Sequence, residues 1–391
     1  MDAERGDIDA PVAGGHLRQD DAASRRQREA ALALSLLGVE HGWPLRFPTG
    51  QLLPAQIWEK QEQDLFALLR LKPESAARLR GFRDRYDAGR EFERLGKSGV
   101  EMLALGEPDY PGCLTLMHDP PPALFIRRPH DAERLSALLS EPCVAIVGSR
   151  RPDRYGLDAA GRFARELAAA GAIVVSGMAA GIDSAAHRGA LERGGRTIAV
   201  LGCGPDVVYP ARNRRLYREI LETGLVVSEY PPGAEPRTWR FPARNRIIAG
   251  LSRGVLVVQA AEGSGALITA DFCLEQGKEI WALPGSVYSP LSTGPHGLLR
   301  NGAAPASQPR DILEDLGIDP GQTAAPASQT PIPSGLSTYE RLILEALEER
   351  PAHPDDIAAK AGLDGKDTAA ALVLLELRGL ARQEPGHVYR R

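Results

Sequence analysis

Val144-Ala145-Ile146-Val147-Gly148-Ser149-Arg150 carries four consecutive apolar residues into a glycine turn and then sets an arginine where a helix is about to begin. The apolar run has the length and character of a strand buried on both faces. The turn leaves backbone N–H groups free at a helix N-terminus, where negative charge is favoured. The pattern recurs with variations. Ile173-Val174-Val175-Ser176 opens into Gly177-Met178-Ala179-Ala180-Gly181-Ile182-Asp183, and Thr197-Ile198-Ala199-Val200-Leu201 into Gly202-Cys203-Gly204. Val255-Leu256-Val257-Val258 runs on to Glu262-Gly263-Ser264-Gly265. Several strand ends therefore face one crevice, and in an open parallel sheet ligands sit outside the carboxyl ends of the strands.

Outward from this stretch, strands are predicted at 143–147, 172–176, 196–201, 225–228, 254–258 and 279–283, and helices at 155–170, 183–193, 212–222 and 265–276. Such alternation predicts a parallel sheet with helices on both faces, an extended Rossmann-like α/β domain over residues 128–305. The 391 residues exceed what one core usually holds. Residues 1–25 are polar and aperiodic and read as a disordered tail. Residues 26–127 carry short amphipathic patterns, such as Ala76, Leu79 and Phe82, and read as a small helical domain ending at Asp119-Pro120-Pro121-Pro122. Residues 306–335, rich in Pro, Ala, Ser, Gln and Thr, read as a linker. Helical spacing at Tyr339, Leu342, Ile343, Ala346 and Leu347, then at 355–363, then at Ala370, Val373, Leu374 and Leu377, precedes a terminal Val388-Tyr389. Three short helices and a hairpin predict a winged helix over 336–391.

No apolar run approaches the roughly 18 residues of a membrane span, and the polar N-terminus lacks a signal-peptide core, so a cytoplasmic location is expected. Cys113, Cys143, Cys203 and Cys273 are widely spaced and predict neither a zinc site nor a disulfide framework. The net charge of −4 speaks against a nucleic-acid partner until it is divided. Residues 141–300 hold 19 Lys+Arg against 15 Asp+Glu, nearly all of the basic residues arginine, so this segment is positive and the remainder carries the negative excess. Arginine grips phosphate oxygens bidentately and stacks on bases. Residues 336–391 hold 8 basic and 10 acidic residues, which points their winged helix toward protein contact or regulation.

Phe241-Pro242-Ala243-Arg244-Asn245-Arg246-Ile247-Ile248-Ala249-Gly250 concentrates donors just before an apolar helical stretch. A ligand role for Arg244, Asn245 and Arg246 is favoured over a capping asparagine with solvated arginines. In Gly148-Ser149-Arg150 the glycine is structural and the functional weight falls on Ser149 and Arg150. The small residues from Ser176 to Gly181 admit either a ligand or tight helix–sheet packing. Asp183 and His187 share a helix face, but without a third ligand the aspartate is better placed at a helix N-terminus than on a metal. Ser264-Gly265 offers ligand donors or a serine cap. There is no G-x-x-x-x-G-K-[ST] and no complete G-x-G-x-x-G, which disfavours P-loop ATPases and dinucleotide enzymes, and no nucleophile, base and orienter set stands out. No metal and no cofactor is expected. The competing class is a Rossmann-like nucleotide-binding hydrolase using the same crevice, with Asp183 or Glu229 as base.

These motifs together resemble the DNA-processing protein A family. The matching segments are 147–150, 176–187, Tyr209-Pro210 with Asn213 and Leu216, 228–231, 241–252, 264–270 and Leu283-Pro284-Gly285-Ser286, in order across most of 110–304. The resemblance implies a single-stranded DNA-binding recombination mediator that protects incoming DNA and loads the RecA recombinase during natural transformation, without catalysis. It implies a homodimer, a sterile-alpha-motif-like N-terminal domain and a C-terminal winged helix. By position, Arg150, Arg244 and Arg246 would contact phosphate and Ser149, Gly177, Gly181 and Ser264 would line the pocket, with Gly148, Ser176, Asn245 and Gly265 counted among the DNA-binding residues. Where many relatives place a lysine after Tyr209-Pro210 this chain has Ala211, with Arg212 or Arg214 as substitutes. Leu298 and Leu299 are the implied dimer contacts.

Overall fold

A computed structural model describes residues 22–41, 52–68, 73–129, 134–192, 194–318, 336–347, 352–378, 380–384 and 388–390. Residues 1–21 of the proposed disordered tail and most of the proposed linker lie outside the described residues, while 22–25, also assigned to the tail, begin the first helix. Contacts divide the chain into two units, residues 1–325 and 326–391.

The first unit is built on a nine-stranded sheet. Its strands are β1 (Glu101–Ala104), β2 (Ala123–Arg127), β3 (Cys143–Val147), β4 (Ile173–Ser176), β5 (Thr197–Leu201), β6 (Leu225–Ser228), β7 (Gly254–Val257), β8 (Glu279–Ala282) and β9 (Ala304–Pro305). The order is β1-β2-β6-β5-β4-β3-β7-β8-β9, parallel from β6 to β9. The chain steps outward from β3 to β6 and then returns to the other flank of β3 at β7, so the winding reverses beside the Val144–Arg150 stretch. The crevice at such a reversal is where an α/β sheet receives ligands. Residues 101–127 depart from the sequence expectation of a purely helical segment. Within them β1 and β2 form an antiparallel hairpin, and β2 continues the sheet antiparallel to β6.

The parallel strands β3 to β7 are buried along their whole length and almost wholly apolar because both faces are covered, whereas β8 begins at exposed Glu279. Cys143, Ala145 and Val147 point to a core shared with α11 (Arg240–Leu251) and α12 (Gly265–Glu275), while Val144 and Ile146 point to one shared with α8 (Arg154–Ala169) and α9 (Ile182–Leu191). The period of two across β3 thus assigns each helix pair to its face. Remaining helices of this unit are α1 (Ala22–His41), α2 (Pro54–Trp58), α3 (Glu62–Leu68), α4 (Pro73–Arg85) and α5 (Ala88–Lys97) before the sheet. Two short ones, α6 (Gly112–Thr115) and α7 (Leu135–Leu138), frame β2; α10 (Arg214–Thr223) joins β5 to β6; and α13 (Thr293–Arg300) follows β8. Last comes α14 (Pro309–Asp315), which lies at the start of the proposed linker yet buries Ile312 and Leu313 against the α8–α9 face.

The second unit packs α15 (Thr338–Ala346), α16 (Pro354–Ala361) and α17 (Gly365–Leu377) around Ile343, Leu344, Ile357, Leu372 and Leu375. β10 (Arg382–Glu384) and β11 (Val388–Arg390) form the antiparallel wing. Among the described residues no helix is long and apolar enough to cross a membrane.

Candidate nucleic-acid interface

Gly148, Ser149 and Arg150 leave β3 at the winding reversal. Ser149 N–H donates to the Gln259 carbonyl after β7 (2.7 Å), and the Ser149 carbonyl accepts from Ile182 N–H at the start of α9 (3.2 Å). The turn is therefore clamped between the next strand and the next helix. The Ser149 hydroxyl accepts from Arg151 N–H (3.1 Å), so it shapes the turn. Arg150 is left exposed, with its guanidinium 5.3 Å from the centroid of the Phe241 ring. Phe241 in turn stacks on Tyr209, centroids 5.2 Å apart and planes 21° from parallel. Arg150, Gly177, Tyr209, Arg212, Phe241 and Arg244 line a cavity of about 100 Å³.

The floor of this cavity is fixed by Arg244. Its guanidinium donates to the Gly177 carbonyl (2.8 Å) and to the Val200 carbonyl, and its Nε donates to Asn245 Oδ1 (3.2 Å). Burial lowers the Arg244 pKa, opposed by the Asp183 carboxylate, from a value so high that the side chain stays charged. A Cβ at residue 177 would lie 2.5 Å from the Arg244 guanidinium nitrogens, so only glycine leaves room for this arginine. Asp183 accepts N–H groups from Gly177 (3.1 Å) and Ala179 (3.3 Å), holding the β4–α9 turn. Burial raises its pKa, and Arg244 and those N–H groups oppose the rise. Gly181 begins α9 at φ +84°, where a Cβ would strike the Ser149 carbonyl. Asn213 locks the same turn from α10's side, donating to the Met178 carbonyl (2.8 Å) and Ser184 Oγ (2.9 Å).

Not every residue that the sequence nominates reaches the cavity. Arg244 and Arg246 were placed ahead of a helix; in fact α11 begins at Arg240, because Pro242 sits in the first turn, where its missing N–H has no helical acceptor to lose. Residues two apart on a helix point about 200° apart. Arg246 consequently faces the opposite way and is held by Glu229 (3.0 and 2.8 Å) and Asp119 (3.1 Å). Burial lowers its pKa, but those two carboxylates more than offset it and the net shift is upward. This buried, twice-neutralised arginine is not available to a phosphate. Ser176 is buried and donates to the Ile146 carbonyl (2.7 Å), tying β4 to β3 rather than lining the cavity. Asn245 donates to the Gly265 carbonyl (3.0 Å), and Ser264 caps α12 through Ala266 N–H (3.4 Å). Of the two substitutes for the missing lysine, Arg212 lines the cavity, while Arg214 is exposed on α10 and is not among the lining residues. Leu298 and Leu299 are half-buried on α13, Leu298 packing against the sheet core.

His187 and Asp183 do not converge. The Thr197 hydroxyl donates to the Val174 carbonyl (2.6 Å), so its oxygen accepts from His187 Nδ1–H (2.7 Å), a tautomer assigned from these bonds, and Nε2 has no partner. Burial holds the His187 pKa down to about 3. Among the described residues no group of three or more His, Cys, Asp or Glu is placed to hold a metal. Tyr209 and Phe241 had no assigned role from sequence; the signal was present as two aromatic-proline pairs flanking an arginine-rich segment.

The model of the DNA recombination-mediator protein A family matches residues 101–317, and that of the DprA winged helix domain matches 324–387. Protein Smf of Synechocystis is 38% identical over 329 residues, 77% of this chain and 82% of that one. Protein Smf of Escherichia coli is 40% identical over 281 residues, 71% and 74% of the two chains. The crystal structure of DNA processing protein A from Streptococcus pneumoniae superposes with a TM-score of 0.60 at 33% identity, covering 74% of this chain and 96% of that one.

Proposed function

Because the chain belongs to the DNA recombination-mediator protein A family, we propose that its crevice holds single-stranded DNA, with Arg150 on the phosphodiester and the Phe241–Tyr209 pair against a base. The observation that carries this reading is an exposed guanidinium over a stacked aromatic pair at the mouth of a cationic cavity. Single strands are held by such combinations of positive charge and aromatic platforms, which every base can use. Arg244 anchors the floor and Arg212 adds charge at the rim. The activity is binding rather than turnover, leaving the strand for a recombinase of the RecA type in the cytoplasm during DNA uptake. A homodimer, with Leu298 and Leu299 near its contact, would set two grooves on one strand and raise avidity.

The hydrolase alternative loses its two candidate bases: Asp183 is committed to backbone N–H groups and Glu229 to Arg246. The cavity of about 100 Å³ is also well below the roughly 300–1,000 Å³ of closed small-molecule sites. Fluorescence anisotropy with a labelled ~30-nucleotide single strand, long enough for two sites of this class, tests the proposal. The expected result is salt-sensitive binding that duplex and mononucleotides displace poorly. Efficient displacement by one mononucleotide, or no binding, overturns it.

A further inference from the structure

The winged-helix unit uses one side of α17 for its own core, burying Thr368, Ala371, Leu372 and Leu375. The other side is apolar too. Ala369, Ala370, Val373, Leu374 and Leu377 fall on an arc about 140° wide, and all five are exposed, Leu377 by 79% and Val373 by 53%. A helix that is apolar on both sides needs cover on both. A face laid against nucleic acid would carry several cations, whereas Lys366 is the one charged residue on this arc.

We propose that this face pairs with the same face of a second copy of the chain, the two α17 helices running antiparallel about a two-fold axis at Val373. Side-chain size argues for it. The arc is small toward its start, at Ala369 and Ala370, and large toward its end, at Leu374 and Leu377. An antiparallel pair centred on Val373 sets each Leu377 against Ala369 of the second copy, so large fills the space left by small. A parallel pair would stack leucine on leucine at one end and leave a gap between alanines at the other, which close packing penalises. Charge agrees. Asp367 and Arg378 lie on one flank at opposite ends of the helix, about 20° apart in projection, so the rotation brings each Asp367 toward Arg378 of the second copy. Arg378 already contacts Glu340 (3.4 Å), and a guanidinium has donors for both carboxylates. A patch complementary to itself under two-fold rotation is what an isologous interface requires. This proposal does not depend on single-strand binding.

Cysteine cross-linking of the full-length protein tests it, with Cys113, the half-exposed native thiol, changed to serine. V373C should form a disulfide-linked dimer on mild oxidation. K366C should not, because antiparallel helices centred on Val373 hold the two copies of residue 366 about 21 Å apart. Equal cross-linking at both positions, or none at 373, overturns the proposal. Independently, in a chain that carries L299E so that the contact proposed on α13 does not mask the effect, L377E should weaken concentration-dependent association in sedimentation velocity by at least tenfold while affinity for a short single strand is unchanged. Sedimentation identical to that of the parent chain overturns it as well.

Discussion

Arg150→Ala separates a phosphate contact from a structural arginine. Arg150 is exposed and its contact within the chain is the stack on Phe241, worth about 0.5–1 kcal/mol. Its removal should therefore leave the melting temperature within a few degrees of the parent. The proposed phosphate contact is a charge-assisted bond at a solvated site, so its loss should cost about 1.5 kcal/mol, roughly tenfold in affinity at low salt. Neutralising one fewer phosphate should also lower the slope of log affinity against log salt by about 0.7. The tenfold defect should then shrink by roughly 2.5-fold between 50 and 200 mM salt. Anisotropy titrations at four salt concentrations read both quantities. Arg246→Ala is the contrasting case. It strands Glu229 and Asp119 beside an empty space, and breaking a buried pair costs about 3–5 kcal/mol, so its melting transition should fall while the folded fraction keeps the parent salt slope. A parent-like slope in folded Arg150→Ala would remove Arg150 from the phosphate contact and with it the proposed track of the strand.

Phe241→Ala should weaken single-strand binding by about 1–3 kcal/mol, the range for one lost stacking platform, with the salt slope unchanged; a defect that vanishes at high salt would reassign Phe241 to positioning Arg150. Gly177→Ala places a methyl 2.5 Å from the Arg244 guanidinium and should cost about 3 kcal/mol or more through two strained charge-assisted bonds, read as a lower thermal midpoint. An unshifted midpoint would mean that Arg244 is not fixed by those carbonyls. His187 is held neutral with its pKa near 3 in the folded chain, against about 6.5 unfolded. The unfolded state then takes up the proton first, so this contribution is intact above pH 6.5 and is lost as the pH falls toward 3. Between pH 7.5 and 5 the loss should be about 2 kcal/mol in chemical denaturation, and His187→Gln, which can still donate to Thr197, should abolish that part of the dependence. An equal pH dependence in both proteins would assign it to other groups.

The parallel strands β3 to β8, though not the two-residue β9, were legible in the sequence because a strand buried on both faces is largely apolar. The predicted 143–147 and 225–228 match β3 and β6 residue for residue, and the other four predicted strands each differ by one residue at one end. β1 and β2 were not legible. Glu101-Met102-Leu103-Ala104 is four residues long, and only its pairing with β2 and thence β6 distinguishes it from a helical turn. The arginines of α11 divided along the same line. That Arg244 and Arg246 matter could be read from their density, but which one faces the crevice depended on where the helix begins. A start at Arg240 rather than after Arg246 turns one arginine inward to Gly177 and the other to Glu229.

That division has a functional consequence. In the proposed binding mode, a single strand approaching the crevice would meet charge held in two different ways. Arg244 is fixed by two carbonyls and by Asn245, which also holds the start of α12, so this positive floor is in place without a ligand. Arg150 and Arg212 stand exposed along the same cavity, where they would follow the backbone from one phosphate to the next. In that mode the fixed floor would define where one base enters, while the exposed rim arginines would tolerate any sequence and any local backbone turn. The small-residue turn at Gly177–Gly181 serves the floor rather than the rim: its compactness lets Arg244 in, and Asp183, buried behind it, makes that arginine's charge tolerable in a dry interior.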